Sequence, residues 1–332
     1  MKEAMFWEKS GKNVKCLLCP RNCIISEGKT GFCRVRKNVG GSLFSLNYGK
    51  AVSVAVDPIE KKPLFHFAPG SSCLSFATVG CNFRCLHCQN SEISQEFDEV
   101  YGQSYSPKGI VDLAKRQGAQ GIAYTYVEPT IFFEYAYDTM KLAKKAGLYN
   151  VWVSNGYTSP GVIEKLKGLL DAVNVDLKGN EEFYKKVCMT NNGYESVKES
   201  IELYHKLGIF LEVTNLIIPG YNGSEKEIGQ TVDFMANLDR NIPLHFSAFY
   251  PANRMTDVKP TPAKTLEKAY EIAKKAGLKY VYLGNVRSRH ESTYCPKCGE
   301  TVIERNGYVI GKVTDKCDCG EKVLLKGKEF IK

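Results

Sequence analysis

The sequence predicts an α/β protein: a partial TIM-like parallel (βα) barrel with a small Cys-rich module at each end. Three observations carry this. From about residue 73 to 285, apolar runs rich in Val, Ile, Tyr and Phe alternate with helix-length segments, which is the pattern of a parallel sheet. Eleven of the thirteen cysteines fall into three groups, two of which lie outside the alternating region. Small or polar residues follow almost every strand-like run, and in parallel α/β proteins that end of the strands is the active face. The expected division is 1–66 for an N-terminal Cys-rich module, 67–288 for the barrel and 289–332 for a C-terminal zinc-ribbon-like module.

Taken in order, Cys16, Cys19, Cys23 and Cys33 (C-x2-C-x3-C-x9-C) define the first module. Their uneven spacing leaves zinc and a second Fe–S cluster both open. The barrel strands are expected at 73–79, 121–127, 149–153, 172–176, 209–217, 244–249 and 279–283. Ser106-Pro107, Ser159-Pro160 and Thr261-Pro262 each offer a capping residue before a Pro at the first helical position. Ser224 and Glu227 form a capping box, and Gly118, Gly147, Gly208 and Gly277 sit where helices should stop. AKKAGLYNVWVSN (143–155) and AKKAGLKYVYLGN (273–285) echo each other, as two equivalent βα units would, with Asn155 and Asn285 at the same end. Cys295, Cys298, Cys317 and Cys319 (C-x2-C-x18-C-x-C, with Gly after each pair) read as a structural zinc ribbon. Cys73 and Cys188 remain and read as buried thiols.

The residues expected at the strand ends form one rim. They are the Cys81, Cys85 and Cys88 triad (C-x3-C-x2-C), Glu128, Ser154-Asn155, Asp176 with Lys178, Thr214-Asn215, Tyr250 and Asn285. Three thiolates on one short loop leave a cubane cluster, which needs four ligands, with one open iron. The competing reading is a zinc ion with His87 as the fourth ligand. His245 and Tyr250 are candidates to face substrate, and His245 could equally be a satisfied core histidine.

Hydrophobic content is 43% and no apolar run reaches the length of a membrane span. The opening MKEAMFWEKSGKN lacks the apolar core of a signal peptide, and the cysteine usage points to metal rather than disulfides. A cytoplasmic protein is expected, with no membrane partner. The formal charge of +9 falls to roughly +4 once one three-thiolate cluster and two four-thiolate zinc sites are counted. The lysines of 141–145 and 273–275 lie along helix faces, so a nucleic-acid groove is not expected.

The triad, with His87 just before its third Cys, resembles the radical S-adenosylmethionine (SAM) enzymes, and the expected barrel is of the radical SAM type. The resemblance implies a [4Fe–4S] cluster on Cys81, Cys85 and Cys88. It also implies SAM chelated at the open iron, reductive cleavage to a 5′-deoxyadenosyl radical and an electron donor. His87 would pack on the SAM adenine. YTYVEP (124–129) stands where that family usually has a Gly-Gly-Glu-like segment, so Glu128 would receive the SAM ammonium without those glycines. Asp176 and Lys178 match the Asp-x-Lys of glycyl-radical activating enzymes, which reaches the SAM ribose and carboxylate, and Asn155 is a further candidate for the polar rim.

More widely, CLLCPRNCIISEGKTGFCRVR, DPIEKKPLFHFAPG, TVGCNFRCLHCQN, YTYVEPTIFFEY, NVDLKG, TNLIIPGYN and the PTPAKTLEKAYEIAKKAGLKYVYLGN tail resemble the AmmeMemoRadiSam-system radical SAM proteins, relatives of the pyruvate formate-lyase activating enzymes. Val127 departs from the Asn of that pattern. This resemblance implies Memo-like and AMMECR-like protein partners. A protein or peptide substrate, a glycyl-radical-type or small-metabolite enzyme, and a non-catalytic metal-binding scaffold are the readings to separate.

Overall fold

The structure, a computed structural model, describes residues 1–331. Eight strands form the central sheet: β1 (Ser53–Pro58), β2 (Ser72–Ala77), β3 (Gly121–Tyr124), β4 (Tyr149–Ser154), β5 (Ala172–Asp176), β6 (Phe210–Ile217), β7 (Leu244–Ala248) and β8 (Val281–Gly284). They lie in sequence order across the sheet. β2 to β8 pair parallel, and β1 pairs antiparallel with β2, Ser53 opposite Ala77. Among the described residues no ladder joins β1 to β8, so the barrel is partial and open. The seven parallel strands are those the alternation predicts. β1 was not expected, and it ties residues before 67 into the same sheet.

Helices α1 (Pro107–Arg116), α2 (Phe133–Lys145), α3 (Pro160–Leu166), α4 (Gly193–Lys206), α5 (Glu225–Leu238) and α6 (Ala263–Lys275) make the crossovers. Ser106 Oγ accepts from Gly109 N at 3.0 Å, and Ser224 with Glu227 completes the capping box. Two caps differ from expectation. Ser159 makes no side-chain capping bond. Thr261 lies before the cap, because its hydroxyl accepts from Phe249 N at 2.9 Å and donates to Ile217 O at 2.5 Å, which binds the α6 entry to β6. Among the described residues, no helix is long and apolar enough to cross a membrane.

The lower end of the barrel is plugged by the 59–68 segment. Ile59, Leu64 and Phe67 pack on the strand starts at Cys73, Tyr149 and Ala172, and Phe330 from the C-terminal tail joins them. Gly121 is required here: a Cβ would lie 2.0 Å from the Tyr149 ring. Above the plug sits a buried polar network. Glu212 on β6 accepts from His66 N and pairs with His245 Nε2, both at 2.7 Å. Burial pushes the Glu212 carboxyl up, but His245 and His66 together outweigh it and hold it below the usual range. His66 is pulled down to about 4 by burial.

The N-terminal module consists of two small antiparallel sheets. It docks on α2 through Phe6 against Phe133 and through the buried Arg36–Glu134 ion pair at 2.6 Å. The C-terminal module packs Val302 and Val323 against Tyr280 and Tyr282, beside β8.

Candidate active site and metal centres

The cleft at the C-terminal ends of the parallel strands spans ≈ 1240 Å3, including the space open to solvent. It is lined by the three triad cysteines together with His87, Glu128, Asn155, Asp176, Lys178, Thr214 and Asn285. Most of the rim expected from the strand ends therefore converges. Two expected members, and the substrate-facing candidate His245, do not. Asn215 is buried and donates to Leu177 O at 2.7 Å. Tyr250 is exposed and donates to Asn285 O. His245 lies in the core, stacked on Tyr282 and bonded to Glu212, so it is the satisfied core histidine rather than a substrate-facing one.

The triad loop is pinned on both sides. Arg84 donates to Cys81 O and Phe83 O, each at 2.9 Å, and to Phe32 O at 2.7 Å. Gln95 and Asn253 both donate to Cys85 O, and Leu86 N donates to Val187 O. Phe83 N points at Cys81 Sγ at 3.4 Å, and Ser94 Oγ lies 3.3 Å from Cys88 Sγ. Burial pushes the Cys81 thiol up; for Cys85 the neighbouring Cys188 thiol does most of this, with burial second. Such thiols ionise when a metal binds them and releases their protons. Cys73 and Cys188 are both fully buried, as expected, although the contact of Cys188 with Cys85 had no signal in the sequence.

Glu128 is buried and serves as the cap of a short turn. Its Oε1 accepts from Thr130 N, Thr130 Oγ1 and Ser154 Oγ at 3.1, 2.6 and 2.9 Å. Its Oε2 accepts only from Asn155 N, at 2.7 Å, leaving a lone pair for a donor in the cleft. Burial raises its pKa and these donors oppose the rise. Asn155 joins the two halves of the site: its Nδ2 donates to Asn82 Oδ1 at 2.8 Å and lies 3.8 Å from Cys81 Sγ. Lys178 Nζ meets Asp176 Oδ2 at 2.7 Å. Burial works against the Lys178 charge, but its neighbours, Asp176 first among them, together outweigh it and keep the ammonium. His87 is buried near Phe183, its Nδ1 has no partner, and burial followed by the Lys178 charge pulls it to about 3, so the ring is neutral.

Sequence reasoning missed Tyr126. It lines the cleft at φ +65°, a left-handed conformation that glycine adopts freely and tyrosine does not. Its hydroxyl donates to Asp57, which also holds Lys61 and Lys62, and the Lys62 ammonium stands 4.6 Å from its ring. This anchoring holds the tyrosine in that backbone conformation. The signal was DPIEKKP, a charged run whose partner could not be read.

Among the described residues, Cys295, Cys298, Cys317 and Cys319 form the group of metal-ligating side chains whose donor atoms all lie within 4.8 Å of one another. Two sulfur pairs stand at 3.6 and 3.4 Å. Tetrahedral ligation at Zn–S of about 2.3 Å requires sulfurs about 3.8 Å apart, so these four could hold one ion. Cys81, Cys85, Cys88 and His87 are not gathered this tightly, which disfavours a single zinc ion there. Three thiols around one open cleft, spread wider than one ion needs, fit a cluster with each thiolate on a different iron.

The Radical SAM superfamily matches residues 76–235, from the end of β2 into α5. An uncharacterized protein of Methanocaldococcus jannaschii is 50% identical over 334 residues, spanning 97% of this chain and 99% of that protein. Another protein of that organism, provisionally named a glycyl-radical enzyme activating enzyme, is 25% identical over 64% of this chain and 79% of its own. Among solved structures, a radical SAM methyltransferase from Sphaerobacter thermophilus shares the fold with a TM-score of 0.51 at 14% identity, covering 70% of this chain and 71% of that one. Streptococcus suis SuiB bound to S-adenosylmethionine also gives 0.51, at 11% identity over 69% of this chain and 53% of that one.

Proposed function

Because the chain belongs to the radical SAM superfamily and is an enzyme of radical chemistry, we propose that its cleft acts on a protein or peptide substrate, with Cys81, Cys85 and Cys88 as the cluster ligands. The observation that supports this site is the meeting of three thiols, Glu128 and the Asp176–Lys178 pair in one open cleft. When bound, the [4Fe–4S] cluster and SAM supply one-electron cleavage of a sulfonium bond and a carbon radical able to take hydrogen from a substrate.

The chain's own residues position that chemistry. Glu128 offers the free lone pair of Oε2 to the SAM ammonium, a charge-assisted bond. Asn155 fixes that carboxylate through its backbone N–H and borders Cys81 through its amide. Asp176 would accept from the ribose hydroxyls of bound SAM, and Lys178 would meet its carboxylate. His87, kept neutral by burial, would offer an uncharged ring to the adenine. The C-terminal quartet holds zinc and keeps its module folded beside β8.

Two appended modules suit a macromolecular substrate, since a small metabolite needs no docking surface. The motifs from CLLCPRNC to the C-terminal KYVYLGN segment narrow the reading to the AmmeMemoRadiSam system, with a Memo-like or AMMECR-like protein as substrate or partner. The test is anaerobic turnover of reduced enzyme and SAM with each of those proteins. The expected result is deoxyadenosine formed above the enzyme-alone rate, with a mass change in the partner. No stimulation and no mass change with either would remove these partners and move the reading to a small metabolite.

A further inference from the structure

The spacing of Cys16, Cys19, Cys23 and Cys33 leaves their metal open, but their placement decides it. We infer that these four cysteines hold an iron–sulfur cluster, at a second site that shares a wall with the radical-site loop. This inference is independent of the substrate reading.

Spacing is the first argument. All four cysteines line one cavity in the N-terminal module. The same chain shows what a single-ion site looks like, in the tight C-terminal quartet. Among the described residues, the N-terminal sulfurs are not drawn within that 4.8 Å limit. Four thiolates on one zinc must be, whereas thiolates on a cluster reach different irons and stand apart.

The surroundings are the second argument. Cys298 and Cys319 of the C-terminal quartet are exposed, but Cys16, Cys19 and Cys33 are buried and Cys23 is half-buried. Leu18, Ile25 and Ile131 supply apolar wall, and Arg36 and Arg21 are the cations that line it. An apolar shell with positive charge beside it shields a cluster from water and balances its negative charge.

Position is the third argument. Asn82, next to Cys81, also lines this cavity, and Arg21 Nε donates to its carbonyl at 2.6 Å. Gly80 lies directly against Cys33, where an added Cβ would come 2.8 Å from the Cys33 carbonyl. The two Cys loops are thus in backbone contact, and a second cluster would sit beside the first.

Metal analysis of the anaerobically prepared full chain tests this. Two cubanes and one zinc ribbon give about eight irons and one zinc per chain. About four irons and two zincs would overturn the inference. The Cys81→Ala, Cys85→Ala, Cys88→Ala variant should retain about four irons and the visible absorption of a cluster; a variant with zinc but no iron would overturn it. If that variant fails to fold, the count on the unmodified chain still decides.

Discussion

Replacing Glu128 with Gln keeps the shape of the side chain but removes its charge and one of its acceptor oxygens. The carboxylate has four donors to satisfy: Thr130 N and Oγ1, Ser154 Oγ and Asn155 N. The two hydroxyls can turn to accept from an amide, but the two backbone N–H groups cannot, and they face different oxygens. Whichever way the amide is placed, one buried N–H loses its acceptor, at a cost of about 1–3 kcal/mol in stability. The contact with the SAM ammonium loses its charge as well. A hydrogen bond to a charged group is worth about 1.5–3 kcal/mol, so SAM affinity should fall about 10- to 150-fold. Iron content should stay at the wild-type level, because Glu128 is not a cluster ligand. Equilibrium dialysis with labelled SAM, iron determination and urea unfolding measure the three effects separately. Unchanged SAM affinity alongside lowered stability would refute the reasoning and make Glu128 a strut only. Loss of iron would show that the carboxylate supports the triad itself.

Gly80→Ala forces a side chain into a φ of +102° and against the Cys33 carbonyl, which should cost about 1–3 kcal/mol from the backbone strain alone. Thermal unfolding should show a lower Tm and iron analysis a loss, and an unchanged protein would mean that the two Cys loops are not mechanically joined. Arg36→Met leaves Glu134 as an uncompensated buried charge and should destabilise by about 3–5 kcal/mol. Adding Glu134→Leu should recover part of that, and strictly additive losses in denaturant unfolding would contradict the pairing. His66 and His87 are kept neutral in the fold, at about 4 and about 3, while in the unfolded chain they take up protons below about 6.5. Stability is therefore fully present above pH 6.5 and lost as pH falls, by about 2 kcal/mol per histidine at pH 5. Urea unfolding at pH 7.5 and 5.0 should show the drop, and a His66→Gln, His87→Gln variant should show a shallower one. Equal slopes would assign the acid loss to metal release alone.

Much of the barrel was legible because parallel strands buried on both faces write themselves as apolar runs. Most runs were followed by a polar residue that ends on the cleft, and Asn155 and Asn285 stand at the same rim, as the repeated segments implied. β1 was not legible. Its sequence, SVAVDP, has only Asp57 buried, with Ala55 and Val56 exposed, and owes its strand to pairing with β2. His245 was left open between two readings for a different reason. Its position in a strand was visible, but whether it faces the cleft or the core depended on Glu212, a carboxylate from another strand whose partners sequence does not reveal. Tyr126 was hidden for a similar reason: its strained backbone is anchored by Asp57, 69 positions away. The three Cys groups were evident from spacing, but what distinguishes a site for one ion from a site for a cluster is the separation of the sulfurs, which only the fold supplies.

The most direct test of the central claim is electron paramagnetic resonance of the anaerobically reconstituted, dithionite-reduced chain with and without SAM, followed by assay for 5′-deoxyadenosine. The triad variant serves as the blank, so that any signal from the N-terminal site is subtracted. A [4Fe–4S]⁺ signal that depends on the triad and changes on adding SAM, with deoxyadenosine formed, is the predicted result. An iron-loaded protein whose triad-dependent signal ignores SAM and which forms no deoxyadenosine would contradict it.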